Sequence, residues 1–326
     1  RRMPRTRSYS TFRVSAALSV GVAVMIYMLS SSIGPDASMA SIRGGYSDEN
    51  DRFQWVRPDS QSFNQHHEIS QTSTNHLIMV AGHSVTISGH LQDAGEDESD
   101  WFLLDYQKGK GLPQTILLHI REGIRQAQND PHSLLIFSGG ETRASTGPIN
   151  EGTSYFRVAD AMDLWNENDG VRGSGGKNSV RARTTAEEFA TDSFQNLLFS
   201  ICRFREITGA YPQKITVISF SFKQTRFEQM HAAALRWSES NFNYIGIDPD
   251  ASTGFDLQTA KTGELENSAK PFGTDPYGCH TKLLQDKRKM RNPFNRTPPY
   301  ALTCPDMKDL LDWCGPELIS TDMVPW

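Results

Sequence analysis

The sequence has no excess of basic residues and few cysteines. Its 33 lysines and arginines are outnumbered by 38 acidic residues, so the formal charge is −5 and a protein that coats a polyanion such as nucleic acid is excluded. The four cysteines are too few and too widely spaced for a disulfide scaffold, and no Cys-x-x-Cys pair indicates zinc. We therefore expect neither a metal site nor a nucleic-acid partner.

Familiar catalytic motifs are also missing. Gly176-Lys177 resembles the end of a phosphate-binding loop, but Val171 and Asn178 stand where that loop requires glycine and Ser or Thr. The sequence has no Gly-x-Ser-x-Gly elbow of the kind that α/β-hydrolases use, and it has no internal repeat. Composition therefore indicates a globular α/β protein, without specifying a reaction or a cofactor.

One long stretch without charged residues lies near the N-terminus, at 14–35. As a helix it would span about 33 Å, enough for a hydrocarbon core of about 30 Å. Five arginines in the basic tail 1–13 precede it and Asp36 follows it, which favours a type II signal anchor with the main domain on the luminal side of the secretory pathway, in the Golgi or ER. A signal peptide cleaved near Ala40 and a mitochondrial presequence are the alternatives.

Residues 36–75 are rich in polar side chains and have no sustained periodicity, which is typical of a flexible stalk. From residue 76 short apolar runs alternate with helical patterns. The predicted strands are 76–81, 133–137, 214–219 and 243–247, and the predicted helices are 113–129, 151–165, 190–208 and 224–237, with a glycine-rich insertion at 166–179. This alternation predicts a Rossmann-like α/β domain at 76–250, a parallel sheet with helices on both faces.

The candidate binding residues follow the predicted strands, where parallel sheets bind their ligands. They are Gly82 and His83 after the first strand, Ser138, Gly139, Gly140 and Glu141 at the end of the second, and Lys223 and Arg226 after a later one. Glycines there can direct N–H groups at an anion, although a tight turn explains them equally well. Lys223 and Arg226 are three residues apart and could hold a phosphate or carboxylate together.

Three separated blocks resemble one known family. They are SLLIFSGGETR at 133–143, AEEFATDSFQNLLFSICRFREITG at 186–209 and KITVISFSFKQTRF at 214–227. In order and spacing they resemble the YdcF/SanA/ElyC-like family of domains of unknown function, in its eukaryotic membrane-anchored form. The resemblance covers about 76–250, and DPYGCH at 275–280 and RKMRNPF at 288–294 extend it. It implies a Rossmann-like fold with a polar cleft; bacterial members are associated with the cell envelope, and no general reaction is established for them.

The family pattern can be matched residue by residue. Gly139 and Gly140 match its glycine pair, Glu151 matches the acid that opens the next helix, and the later acidic block matches Glu187, Ala190, Ser193 and Asn196. The resemblance implies Glu151 and Glu187 as catalytic candidates and Asn196 as a ligand-binding amide. Lys223 replaces a bacterial histidine three residues before the arginine, which departs from any shared histidine chemistry.

Each acid also has a purely structural explanation. Glu187 and Glu188 lie three residues after Thr184 and Thr185, which is the spacing of a helix capping box. Glu151 follows Asn150, a good helix cap, and could simply complement the helix dipole. The functional interpretation depends on convergence of these groups at one edge of the sheet.

The C-terminal extension, 251–326, carries three of the four cysteines. If 305–313 is helical, Cys304 and Cys314 are about 15 Å apart, too far for a disulfide, so Cys279 would bond one of them, while Cys202 is expected to be a buried thiol. The basic run 287–296 could lie over the cleft and attract an anion or lipid headgroup, or could be a solvated face.

The sequence therefore predicts a membrane-anchored domain that binds a small anionic ligand, namely a phosphorylated nucleotide, nucleotide-sugar or lipid-linked intermediate, in envelope or glycan biogenesis. In this interpretation Gly139 and Gly140 donate N–H groups, Lys223 and Arg226 neutralise phosphate, and Glu151 or Glu187 acts as a base or orients a hydroxyl. One alternative is a nucleoside cofactor such as adenosylmethionine, with little need for Lys223. The other is a scaffold without catalysis.

Overall fold

A computed structural model describes residues 74–166 and 179–326 of the chain. The predicted tail and anchor, nearly all of the predicted stalk and most of the glycine-rich insertion lie outside these residues. None of the described helices is both long enough and apolar enough to cross a membrane.

Five parallel strands form the sheet at the centre of the fold. They are β1 (His76–Ala81), β2 (Ser133–Ser138), β3 (Thr184–Glu187), β4 (Lys214–Ser219) and β5 (Phe242–Gly246), in the order β3-β2-β1-β4-β5. Every residue of β1 and β2 is buried, because helices cover both faces of a parallel sheet. The strand order reverses between β1 and β4, which creates the crossover where such sheets bind ligands.

Helices on the two faces connect the strands. The connections contain α1 (Leu112–Asn129), α2 (Glu151–Ala161) and α3 (Ser193–Thr208), followed between β4 and β5 by a 3-10 turn (Ser221–Lys223), a π-helix (Arg226–His231) and α4 (Ala232–Ala234). Leu77 and Met79 of β1 pack with α3 on one face, and Ile78 and Val80 pack with α1 and α2 on the other. The expected Rossmann-like architecture is thus present in the described chain.

The helix ends follow standard capping chemistry. The Asn150 side chain accepts a hydrogen bond from the Thr153 N–H at 2.6 Å, which begins α2, and Asp192 accepts one from the Gln195 N–H at 2.9 Å, which begins α3. Gly209 has a φ of 76° and ends α3 in the left-handed conformation that favours glycine.

Strand β3 was not predicted from the sequence. Thr184 and Thr185 belong to this strand, and α3 begins only at Ser193, so the expectations that these threonines cap a helix and that the helix begins at 190 are wrong. The helix predicted at 151–165 ends at Ala161, and Leu164–Asn166 forms a separate 3-10 turn.

The C-terminal residues are mostly short helices packed on the α3 side. They comprise α5 (Leu257–Glu264), a π-helix (Leu265–Ala269), α6 (Lys270–Thr274), α7 (Lys282–Met290), α8 (Tyr300–Thr303) and α9 (Lys308–Leu311). The remaining 3-10 turns are Glu98–Asp100, Ala144–Thr146, Arg181–Arg183, Glu239–Asn241, Ala251–Thr253, Pro305–Met307 and Thr321–Met323. Tyr300, Met307 and Leu310 join the buried cluster that contains α3, so this segment forms part of the core.

The cysteines divide into one disulfide and two thiols. Cys279 bonds Cys314, as one of the two pairings expected for Cys279, whereas Cys202 and Cys304 are free and buried. The continuous helix considered at 305–313 is instead a 3-10 turn followed by the four residues of α9. The disulfide closes a loop of 35 residues within the C-terminal segment, which restricts the unfolded chain.

Arg183, directly before the edge strand β3, hydrogen-bonds to the neighbouring elements, and its replacement tests how much these bonds stabilise the fold. Its buried guanidinium donates to the carbonyls of Ala127 and Ser133 at 2.8 and 2.7 Å, joining the end of α1 to the start of β2. Arg183→Met leaves these buried acceptors unpaired and should lower the free energy of unfolding by about 2–3 kcal/mol. Urea denaturation of the whole chain measures this loss.

Arg181→Met is the matched control. Arg181 lies two positions before Arg183 in the sequence, and its ion pair with Asp160 is exposed. Its removal should cost less than about 1 kcal/mol. Equal losses for the two variants would contradict the anchoring role of Arg183.

Candidate functional site

The candidate site lies at the crossover between the carboxyl ends of β1 and β4. Gly82 and His83 follow β1 directly, and Phe220 to Lys223 follow β4. The two connections come together because β1 and β4 are hydrogen-bonded neighbours whose registers end at the same level. We call His83, Phe220 and Lys223 the crossover cluster.

Four contacts hold His83 in place. Its backbone N–H donates to the Tyr155 hydroxyl at 3.0 Å, and its Nε2 lies 3.2 Å from the Ser219 hydroxyl. Its Nδ1 lies 3.2 Å from the Lys223 ammonium, and its ring stacks on Phe220 with centroids 4.4 Å apart. The ring is therefore fixed in place with both nitrogens engaged.

The hydrogen bonds determine the tautomer when Lys223 is charged. An ammonium group can only donate, so His83 Nδ1 accepts from Lys223 and Nε2 carries the proton toward Ser219. Burial lowers the pKa of His83 well below its usual range, and the nearby charge of Lys223 lowers this pKa further. His83 is thus neutral at physiological pH and presents an acceptor to the lysine.

Lys223 is a half-buried cation without an anionic partner. Its ammonium lies 5.1 and 5.9 Å from the ring centroids of Phe220 and Phe222, and among the described residues no carboxylate forms a hydrogen bond or ion pair with it. Burial lowers the pKa of Lys223 to about 7, and the positive charge of Arg226 acts in the same direction. Such a group is costly for the fold unless a ligand brings negative charge.

A second histidine borders the cluster. The ring of His119, from α1, meets His83 edge to face at 5.5 Å, and its Nε2 is 2.9 Å from the Ile247 carbonyl. Because the carbonyl can only accept, the proton is on Nε2, and the buried Nδ1 is an acceptor that no described group satisfies. Burial lowers the pKa of His119 to about 4, so this ring is also neutral.

The glycines do not have the role predicted for them. The N–H groups of Gly82, Gly139 and Gly140 donate to the carbonyls of Ser138, Glu187 and Ala190 at 2.7, 3.0 and 2.8 Å, so none is free to bind an anion. Instead they make room for a helix. A Cβ atom on Gly82 would lie 2.6 Å from Glu151 Cβ, and one on Gly139 would lie 2.6 Å from Glu151 Oε2.

The first turn of α2 is likewise occupied by protein contacts. The N–H groups of Glu151 and Gly152 donate to the carbonyls of Gly140 and Gly139 at 3.2 and 3.0 Å, and Thr153 donates to the Asn150 side chain. These donors therefore cannot serve as a phosphate site. Helix α2 therefore begins at Glu151 because its first N–H groups donate to the residues that follow β2 and to the predicted Asn150 cap.

Glu151 is the catalytic candidate that the structure places beside the cluster. Its Oε1 accepts a hydrogen bond from the Thr142 hydroxyl at 2.6 Å, while Oε2 lies against Gly82 and Gly139 and receives no hydrogen bond from a described residue. Its negative charge also acts on the pKa of Lys223. One carboxylate oxygen and one ammonium group thus flank Gly82 and His83.

Glu187, the other catalytic candidate, lies on the α3 face of the sheet and is fully buried. It accepts hydrogen bonds from the Ser138 hydroxyl at 2.8 Å, the Phe189 N–H at 2.7 Å and the Tyr300 hydroxyl at 3.0 Å. Burial raises its pKa to about 7, although these donors oppose the shift. Glu187 therefore joins β3 to β2 and to α8 through hydrogen bonds, and it is not exposed to a ligand.

Three further candidates are also committed to protein partners. The Asn196 amide donates to the Ser138 carbonyl at 3.3 Å, and Glu141 forms an ion pair with Arg296. Arg226 is buried in an ion pair with Glu264 at 2.5 Å and donates to the Ser193 hydroxyl. Arg226 therefore cannot join Lys223 as a free phosphate ligand, contrary to the expectation from their spacing.

Three residues in or beside the crossover cluster were not among the predicted site residues. They are Phe220 in the cluster, and His119, on the buried stripe of α1, and Tyr155 beside it. A polar histidine within an apolar helical stripe was a usable signal for His119. No pattern distinguishes Phe220 or Tyr155 from ordinary core residues, since their role depends on contacts with a distant strand end.

Two cavities lie away from the crossover. They have volumes of about 270 and 230 Å³ and lie beside α3 and the C-terminal segment. Within residues 74–166 and 179–326, no group of three His, Cys, Asp or Glu side chains could hold a metal ion. The groups available at the crossover are therefore the Lys223 ammonium, the neutral imidazoles of His83 and His119 and the Glu151 carboxylate.

The chain is similar to a yeast protein. The chain is 33% identical over 261 residues to "Uncharacterized protein YOR238W" of Saccharomyces cerevisiae, an alignment that covers 69% of this chain and 86% of the yeast protein. No model of a known protein family matches the chain. No solved structure matches it. The extent of the yeast alignment shows that this chain belongs to the same protein family as YOR238W.

Proposed function

We propose that the carboxyl edge of the sheet binds a phosphorylated ligand, a nucleotide, a nucleotide-sugar or a lipid-linked intermediate, with Lys223 as the phosphate contact. The observation that carries this proposal is the position of the Lys223 ammonium. It is half-buried at the crossover, donates to a neutral imidazole, and has no carboxylate partner in the described chain. An anion would satisfy this group and offset the cost of its burial.

Charged groups of both signs lie near Lys223. The positive charges of Arg226 and Arg291 lower its pKa and that of His83, whereas the negative charges of Glu264 and Glu151 raise the pKa of Lys223. Glu264 pairs with Arg226, whereas the Arg291 side chain makes one hydrogen bond within the described chain, to the Thr191 carbonyl at 3.1 Å. The positive charge of Arg291 therefore favours a phosphate, although only Lys223 offers a direct contact from the crossover cluster.

Glu151 adds a second type of contact. Its Oε2 is free of described donors and faces Gly82, so it can accept a hydrogen bond from a ligand hydroxyl or a water molecule. Together a phosphate contact and a hydroxyl contact match a sugar phosphate or a nucleotide. Glu151 is also the group that would orient or deprotonate that hydroxyl if the bound ligand reacts.

The cellular setting belongs to the same proposal. The uncharged run 14–35 supports a single-pass anchor in the secretory pathway, with the domain on the Golgi or ER luminal side. The three blocks at 133–143, 186–209 and 214–227 support kinship with the YdcF/SanA/ElyC-like family and a role in envelope or glycan biogenesis. Lipid-linked intermediates are available to a domain held at a membrane.

Replacing Lys223 tests the phosphate contact. Lys223→Met keeps most of the apolar stem but removes the charge, so we expect the affinity for inorganic diphosphate to fall at least about tenfold. Isothermal titration of the whole chain measures this change. The matched control is Lys214→Met, because Lys214 is exposed at the amino end of the same strand, β4.

The two alternatives give different results in this experiment. Adenosylmethionine carries no phosphate, so a thermal shift by adenosylmethionine that survives Lys223→Met would favour a nucleoside cofactor. A scaffold protein would bind none of these compounds. Equal losses of diphosphate affinity in the Lys223 and Lys214 variants would show that net charge, and not the crossover cluster, determines binding.

The pH dependence of anion binding gives a separate test. Lys223, with a pKa of about 7, is mostly charged at about pH 6 and mostly neutral at about pH 9. Sulfate keeps the same charge over this range, so its affinity should fall at least about tenfold as the pH rises. Titrations at the two pH values measure the ratio.

Three other groups must be separated from Lys223 in this test. His83 is already neutral throughout the range, but Glu187, with a pKa of about 7, and Lys287, with a pKa of about 8, titrate within it. The Lys223→Met variant should therefore lose most of the pH dependence while retaining the part that Glu187 and Lys287 contribute. An unchanged pH dependence in this variant would refute the assignment to Lys223.

A further inference from the structure

A second cluster of cations surrounds a cavity away from the crossover cluster. The cavity has a volume of about 230 Å³ and lies between the start of α3 and the segment that includes α7 and the loop after it. Arg288, Lys289 and Arg296 are the charged residues in its lining, and none of the lining residues is acidic. We call it the basic cavity.

Two of the three cations are fixed by carboxylates behind the lining. Arg288 Nε donates to Asp192 Oδ2 at 2.6 Å, and Arg296 forms an ion pair with Glu141. Both carboxylates are buried, so the pairs are charge-assisted and hold the guanidinium groups in defined positions. The Arg296 guanidinium also lies over the Phe189 ring at 4.6 Å from its centroid, which fixes it further.

The cavity retains donors that no described residue uses. The Lys289 side chain is exposed and makes no hydrogen bond or ion pair within the described chain. The Gln195 side-chain oxygen accepts from the Thr191 N–H at 2.9 Å, so its NH2 group is oriented the other way and has no described acceptor. The side-chain amide of Asn295 is also without a described partner, on a residue whose φ is 52°.

We propose that the basic cavity is a second anion site, which binds a phosphate monoester group with Lys289 and Arg296 as its charged contacts and Gln195 and Asn295 as amide donors. Its volume is below the range of about 300–1,000 Å³ for drug-sized ligands, so it suits a single headgroup and not a whole nucleotide. The site is built from both α3 and the C-terminal segment, so an anion bound there would also bridge them.

The two anion sites can be separated experimentally. In the full chain carrying Lys223→Met the crossover contact is absent, and inorganic phosphate binding then reports the basic cavity. We expect phosphate to move the NMR signals of the Gln195 and Asn295 side-chain NH2 groups in this background. Adding Lys289→Glu should weaken the binding by at least about tenfold, because it places a like charge beside the anion.

Lys282→Glu is the matched control. Lys282 lies two turns earlier on α7, is highly exposed and does not line the basic cavity, so the same change of charge should leave phosphate binding nearly unchanged. Amide signals that do not respond to phosphate, or equal effects of the two charge reversals, would overturn the proposal. Loss of all phosphate binding in Lys223→Met alone would overturn it as well, while leaving the proposed function intact.

A phosphate monoester can be free in solution or part of a lipid, and a second measurement distinguishes these sources. Vesicles of phosphatidylcholine with phosphatidic acid are sedimented with the Lys223→Met chain, and with the same chain carrying Lys289→Glu in addition. Sedimentation that decreases with Lys289→Glu identifies a lipid headgroup as the ligand, whereas phosphate binding together with sedimentation that does not change with Lys289→Glu identifies a soluble one. The absence of both phosphate binding and Lys289-dependent sedimentation would refute the site.

Discussion

The structure depends on a set of polar contacts that join the C-terminal segment to the carboxyl edge of the sheet. Each contact pairs a group at or after the end of a strand, or at the start of a helix, with a group far along the chain. They are Arg226 with Glu264, Asp192 with Arg288, Glu141 with Arg296 and Glu187 with Tyr300. Since buried charges are stable only when paired, these contacts determine which polar residues remain available to a ligand.

These contacts distinguish residues of the same chemical type: some are occupied by a protein partner and others remain available to a ligand. Arg226 and Lys223 are three residues apart, yet Glu264 satisfies the first and no described carboxylate pairs with the second. In the same way Tyr300 and Ser138 enclose Glu187, whereas one oxygen of Glu151 remains open beside Gly82. A role for each residue follows from its partner and not from its type.

The elements predicted most accurately are those whose sequence signal is local. The buried strands β1 and β4 appear as short apolar runs, and the Asn150 cap predicts the start of α2. Strand β3 was missed because it has four residues, lies at the edge of the sheet and contains two half-buried threonines. Thr184 and Glu187 also have the spacing of a capping box, and only pairing with β2 distinguishes the two cases.

The site was less predictable because its contacts are not local. The glycines after β1 and β2 were expected to direct N–H groups at an anion or to form a tight turn, whereas in the structure they make room for the Glu151 side chain. Placing Glu264 beside Arg226 requires the packing of a segment whose sequence has little periodicity. What the sequence did provide was the location, because residues that follow parallel strands necessarily meet at one edge.

The free-energy cost of burying the Lys223 charge is related to the proposed binding of an anion. Its pKa of about 7 means that at neutral pH burial has already removed part of its charge, which limits the cost of leaving it without a carboxylate. A phosphate that approaches the ammonium favours the charged form, so binding raises the pKa and takes up a proton. The fold thus retains a lysine that is tolerable without ligand and fully charged with it, which a permanent ion pair such as that of Arg226 and Glu264 cannot provide.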